Sequence, residues 1–173
     1  MVQTDEHTST TAPAGLADAI SRLVRAGSLE ASTRNVAEID GYSGMLPAGT
    51  DVYTPWLPGE PYHHLVAMAR HLRQAGFNPV PHISARRLTD AVTTRDFLGR
   101  LRDEAGVERV LAIAGDSQAA AGPYESSLAL IETGLLQEYG IRSVGIAGYP
   151  EGHRKISDAI ILSSLDGKIS AAQ

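Results

Sequence analysis

The sequence predicts an α/β protein built on a parallel sheet, and three observations carry that prediction. Val110 to Ala114 is an unbroken apolar run, the pattern of a strand covered on both faces by helices. Segments with apolar residues at helical spacing alternate with extended segments, and strands arrive roughly every 25 to 35 residues, the spacing of βαβ units. Proline at helix starts and glycine at helix ends mark the joints between them.

The chain has 173 residues, enough for one domain with a core and too few for two. Apolar residues make up 43% and charged residues 20%, an ordinary globular composition, and the net charge of -5 argues against a dedicated nucleic-acid binder. The absence of cysteine excludes disulfides, zinc-thiolate sites and a cysteine nucleophile. Met1 to Ala14 is polar and threonine-rich, without the apolar stretch of a signal peptide, and no later run approaches a membrane span. The expectation is a soluble, cytoplasmic protein with no metal site.

Residues 1–13 read as a disordered lead-in, because they offer almost nothing to bury. Leu16, Ile20, Leu23 and Val24 recur at helical spacing, predicting an amphipathic helix from Gly15 to Arg25 that Ala26 and Gly27 close. Ser28 to Thr33 reads as a short strand and Asn35 to Met45 as helical, with a turn at Leu46 to Thr50. Asp51 to Pro55 is the next strand. A helix from Pro61 to Ala75 carries Leu65, Met68, Ala69 and Leu72 on one face and stops at Gly76. Phe77 to Ile83 must be extended, since its two prolines break a helix and push their preceding residues to extended geometry.

Thr93 and Thr94 are placed to cap a helix through Glu104 that buries Phe97, Leu98 and Leu101, and the Val110 strand follows. Tyr124 to Tyr139 predicts one further helix through Leu128, Ile131, Leu135 and Leu136, ended by Gly140. Ile141 to Ala147 is strand-like, Gly148 to His153 a loop, and residues 155–171 helical. A helix, then strand and helix five times over, allows either a doubly wound sheet or a (β/α)8 barrel. No Gly-x-Gly-x-x-Gly follows the first strand and no Gly-x-x-x-x-Gly-Lys-Ser/Thr occurs, so neither nucleotide signature supports the doubly wound option. Five units are too few for a complete eight-unit barrel. The last residues, Ser170 to Gln173, fall inside an apparent helix with no cap or closing strand, which reads as a partial barrel.

The polar residues of note fall at strand ends: Glu30, Thr54, His82, Asp116, and the set Tyr149, Glu151 and His153. Parallel neighbouring strands would bring all of them to one rim, the layout of a barrel active site. Each also has a plain structural account. Asp116 could cap the following turn, Glu30 could be the exposed residue of a half-buried strand, and His82 a hydrogen-bonded loop histidine. His63 and His64 could simply form the polar side of a helix.

Four segments stand in order along the chain: Ser28-Leu29-Glu30-Ala31, His82-Ile83-Ser84, Ala114-Gly115-Asp116 and Tyr149-Pro150-Glu151-Gly152-His153. Together they resemble the methylenetetrahydrofolate reductase family, over about residues 28 to 168 and most closely from Phe77 to His153. The family carries Ser-Phe-Glu-Phe-Phe-Pro-Pro on its early strand, a third strand that ends in His-Leu-Thr or similar, Arg-Gly-Asp after its fourth, and a Tyr-Pro-Glu-x-His segment, which is the most specific match.

The resemblance implies a (β/α)8 TIM-type barrel, here about five βα units, that reduces 5,10-methylenetetrahydrofolate to 5-methyltetrahydrofolate. Hydride would pass from NADH or NADPH through bound FAD. By position Glu30 resembles the general acid and Asp116 the carboxylate beside the flavin's pyrimidine edge. Thr54, His82, Gly115, Tyr124, Tyr149 and His153 resemble cofactor-binding positions, and Lys168 the family's phosphate-side lysine. The chemistry agrees with Glu30, because opening the folate ring requires a proton at nitrogen and a carboxyl in a partly apolar barrel mouth can deliver one.

The chain departs from the family in three places. Ala31-Ser32-Thr33-Arg34 replaces the aromatic and double-proline run, Ala114 stands where the family has arginine, and the later folate-binding strands have no counterpart within these residues. The partners implied are a folate and a nicotinamide nucleotide, with neither nucleic acid nor membrane. An open sheet edge would favour self-association. Two other readings stand beside the reductase: an inactive partial barrel that works by association with itself or a partner, and a flavin-independent relative acting on a folate-like compound.

Overall fold

The structure is a computed structural model that describes residues 15–154 and 156–171. The lead-in expected over residues 1–13 lies outside them. Helix α1 (Leu16–Arg25) is followed by β1 (Leu29–Glu30), a 3-10 turn (Thr33–Asn35) and α2 (Val36–Tyr42). Next come β2 (Asp51–Thr54), α3 (Tyr62–Gln74), β3 (Asn78–Ser84), a second 3-10 turn (Ala85–Arg87), α4 (Ala91–Ala105) and β4 (Arg109–Ile113). The chain continues through α5 (Ser127–Glu132), α6 (Leu135–Glu138), β5 (Ser143–Ile146) and α7 (Asp158–Ala171).

The five strands form one sheet in the order β1-β2-β3-β4-β5, with every neighbouring pair parallel. A doubly wound sheet reverses its strand order at a switch point; the described strands contain no reversal. Parallel crossovers are almost always right-handed, so strands added in a single direction return their helices to the same side of the sheet. That corrects the reading of the Val110 strand as covered on both faces. Val110 and Ala112 are fully buried, whereas Leu111 and Ile113 between them are only half-buried.

Both hydrophobic clusters lie on the helix side, although the central strand β3 is also buried on the far side, at Val80, His82 and Ser84. Leu65, Val66 and Ala69 of α3 pack with Ile83, Phe97, Leu101, Val110 and Ala112 in the larger cluster. Met68 and Leu72, farther round the same helix, close a smaller cluster with Ala31, Ile39, Val52 and Phe77. Helix α3 thus serves both cores through an apolar stripe wide enough to meet two sets of neighbours.

Three elements differ from expectation for local reasons. The first strand has two residues because Ser32 caps the next turn, its Oγ accepting the Arg34 amide at 3.2 Å. Asp90, not Thr93 or Thr94, caps α4: its carboxylate accepts the Thr93 amide at 2.7 Å, and the buried Thr94 hydroxyl donates to the Asp90 carbonyl at 2.7 Å. Those Thr93 bonds hold the Asp90 carboxyl below its usual range. The single helix expected over Tyr124 to Tyr139 is α5 and α6. Thr133 turns its hydroxyl back onto the Leu130 carbonyl at 2.6 Å, and Gly134 at φ 70° adopts the left-handed conformation that ends one helix and opens the other. Leu130, Ile131, Leu135 and Leu136 are still buried, so the apolar spacing holds across a broken axis.

The terminal helices are different in kind. Neither α1 nor α7 has a buried residue, and Leu23 and Val24 of α1 are 74% and 71% exposed. Among the described residues no helix is long and apolar enough to cross a membrane.

Candidate functional site

Paired residues of a parallel sheet share a face, and alternate residues along each strand change face. Val52, Ile83, Val110 and Ala112 are on the helix side. One step along, Glu30 and Tyr53 pair on the opposite face, as do His82 with Leu111 and Ser84 with Ile113. This far face carries the polar groups at the C-terminal ends of β1, β2 and β3.

There Glu30 Oε2 stands 3.9 Å from His82 Nε2, and the Tyr53 ring meets the His82 ring edge-on, centroids 6.0 Å apart. His82 is 9% exposed and its Nε2 has no hydrogen-bond partner, while the Glu30 side chain is 64% exposed. Burial lowers the His82 pKa from its usual value, and the negative charge of Glu30 opposes that shift. The buried imidazole therefore favours its neutral form. A neutral imidazole beside an exposed carboxyl can relay a proton to a group bound above both.

The ends of β4 and β5 border a cleft of about 1530 Å³, reached also by α7. Gly115, Asp116, Tyr149, Glu151, His153 and Lys168 line it. The Tyr149 and His153 rings meet edge-on with centroids 4.8 Å apart, and His153 forms an isolated antiparallel bridge with Ile156. Burial pushes the Lys168 ammonium below its usual value, and Asp116 is exposed. Gly115, at the cleft, backs onto Ser84 of β3: a Cβ built on it would come 3.1 Å from the Ser84 Cβ, and its φ of 88° is one that favours glycine.

The structure thus brings together two sets of the residues predicted from sequence: Glu30 with His82, and Gly115, Asp116, Tyr149, His153 and Lys168. Two residues join neither. Thr54 shares the face of Val52, is 1% exposed, and keeps its hydroxyl without a hydrogen-bond partner on the helix side. Tyr124, 4% exposed, is packed in the larger core and precedes α5 instead of opening it. Tyr53 is the residue that sequence reasoning missed. Its alternation with Thr54 was visible, but nothing local said which of the two faces the helices.

A cleft lined by charges of both signs, among them Asp116, Glu151, Arg86 and Lys168, and by two rings in edge-on contact suits a polar ligand with an aromatic part. No protein-family model matches the chain.

Proposed function

We propose that the sheet is five consecutive units of a (β/α)8-type barrel that reduces 5,10-methylenetetrahydrofolate to 5-methyltetrahydrofolate in the cytoplasm, with FAD bound and NADH or NADPH as hydride donor. One observation carries the reading. The four segments that resemble methylenetetrahydrofolate reductases fall, in order, at the C-terminal ends of β1, β3, β4 and β5 of a sequentially ordered parallel sheet.

The residues present fit a flavin. The cleft is of ample size, and Lys168 on its wall supplies a cation for a phosphate; the buried, unpartnered His82 Nε2 lies on the same sheet face but outside the cleft lining. Ala114 supplies no charge where the family has arginine, which leaves Asp116 as the charged side chain of that segment. FAD would hold the hydride between nicotinamide and folate. Tyr149 and His153 would line the ring's pocket, and Asp116 would fix a negative charge where it tunes the cofactor and attracts a folate cation.

Glu30 is the general acid in this reading. Its carboxyl is 64% exposed and so open both to substrate and to solvent, which replaces the proton it delivers to the folate nitrogen. Tyr53 packs against the His82 imidazole and fixes its orientation. The half-buried Leu111 and Ile113 favour a second reading, in which this face is an association surface for a second copy or a partner.

The experiment is the visible spectrum of the full chain after incubation with FAD and gel filtration. A flavin band that travels with folded protein is the expected result. A folded, monodisperse chain without the band would remove the flavin-dependent reading and leave the association and flavin-independent readings.

A further inference from the structure

Two adjacent arginines, absent from every motif so far, point their hydrogen bonds in opposite directions. Both belong to the 3-10 turn that ends β3, the central strand. Arg86 donates from Nε to the Glu125 carbonyl at 2.8 Å and from Nη1 to the Ser117 carbonyl at 3.0 Å. Its backbone amide donates to the Ala114 carbonyl at 3.0 Å, and its carbonyl accepts the Ala121 amide at 2.8 Å. All four partners lie in or beside the stretch from Ala114 to Ser126, which contains no helix or strand and carries Asp116. The same stretch backs closely onto the segment after Arg87. A Cβ on Gly122 would fall 2.2 Å from the Thr89 carbonyl oxygen and 2.4 Å from that of Leu88, both rigid backbone atoms.

Arg87 turns the other way. Its Nη1 donates to the Trp56 and Leu57 carbonyls, both at 2.7 Å, and its Nη2 to the Glu60 carbonyl at 2.7 Å, while the guanidinium lies 4.2 Å over the Trp56 ring. Glu60 extends the chain of contacts, its carboxylate accepting the Thr33 hydroxyl at 2.5 Å, three residues past Glu30. A guanidinium presents donors in a planar fork and so can satisfy several carbonyls of an irregular loop at once; an ammonium lacks that fixed fork.

We propose that Arg86 and Arg87 are positioning residues that divide the rim between them, Arg86 holding the loop that presents Asp116 and Arg87 holding the β2–α3 loop that braces the Glu30 segment. The ligand that feels the Arg86 arm, through the loop and through the cleft wall to which Arg86 itself contributes, is FAD if the reductase reading holds. The division of labour itself does not need that reading.

The test uses the full chain with Arg86→Ala, Arg86→Lys, Arg87→Ala and Arg87→Lys. Amide hydrogen exchange is followed by mass spectrometry, and FAD affinity by its absorption change. Loss of Arg86 should speed exchange across residues 114–126 by about tenfold or more and leave 55–60 within about twofold, and loss of Arg87 should do the reverse. Arg86 variants should weaken FAD by about tenfold or more and Arg87 variants by less than about twofold. An alanine variant that fails to fold is judged on its lysine counterpart, which keeps the charge and loses the fork. Equal loosening of both loops by either variant, or of neither, overturns the proposal, as does unchanged FAD affinity in an Arg86 variant whose loop has loosened. Wild-type protein that takes up no FAD sinks the reductase reading alone, and the exchange pattern then decides the proposal.

Discussion

On the helix side of the sheet Ile83, Val110 and Ala112 are sealed beneath α3, α4 and α5, none of them exposed at all. One residue along, on the far side, Leu111 and Ile113 are half-buried and Glu30, Tyr53 and His82 gather at the strand ends. The same strands serve both faces, so the difference is not one of strand composition. It comes from winding: strands laid down in one direction with one handedness put every crossover on one face. The hydrophobic clusters are concentrated on the helix face, and the far face, although it also buries Val80 and His82 of β3, gathers the polar groups of the strand ends.

The sharpest way to break that comparison is to cut into each face in turn. Phe97→Ala, which removes a fully buried ring lying 5.4 Å from Trp56 and 5.1 Å from Tyr62, should cost about 3–5 kcal/mol in urea unfolding. Leu111→Ala on the far face should cost only about 1–2 kcal/mol, because its side chain already meets solvent. Equal losses would mean that the far face is covered as well.

A smaller effect separates the faces by pH. The His82 pKa is lowered in the folded state, so as pH falls through the ordinary histidine value of 6.5 the unfolded chain binds the proton first and stability drops. The loss begins near the unfolded value and ends once pH has passed the lower folded value. His82→Gln should flatten that part of a stability–pH curve, and Glu30→Gln should steepen it, since the carboxylate opposes the shift. A curve unchanged by His82→Gln would show that the imidazole is not the group sensing burial there.

Smallest of all should be Leu23→Glu in α1. That side chain is 74% exposed and α1 has no buried residue, so thermal unfolding should move by no more than the equivalent of about 0.5 kcal/mol. A clear destabilisation would show that the apolar stripe of α1 has a partner in solution.

The site was legible in the sequence in proportion to how local its signals are. Glu30, His82, Asp116 and Tyr149 could be placed at strand ends because turns and prolines mark where strands stop. The cap of α4 was misplaced by a few residues, since aspartate and threonine are both good N-caps and only the folded geometry decides which of them opens the helix. The break at Gly134 was hidden by the unbroken apolar spacing on either side. Arg86 and Arg87 gave no signal at all, because their partners are backbone carbonyls, which every residue has.

The amino-acid sequence by itself determined the alternation and order of helices and strands, though not the division of α5 from α6, through helical periodicity, proline and glycine punctuation and short apolar runs. It also determined that Tyr53 and Thr54 must point to opposite faces, because alternation is a property of any strand. Which of them meets the helices was decided only by the tertiary structure. Strand order, pairing register and crossover side are set by contacts between distant segments. They put Thr54 on the side of Val52, Met68 and Leu72, and Tyr53 beside Glu30 and His82.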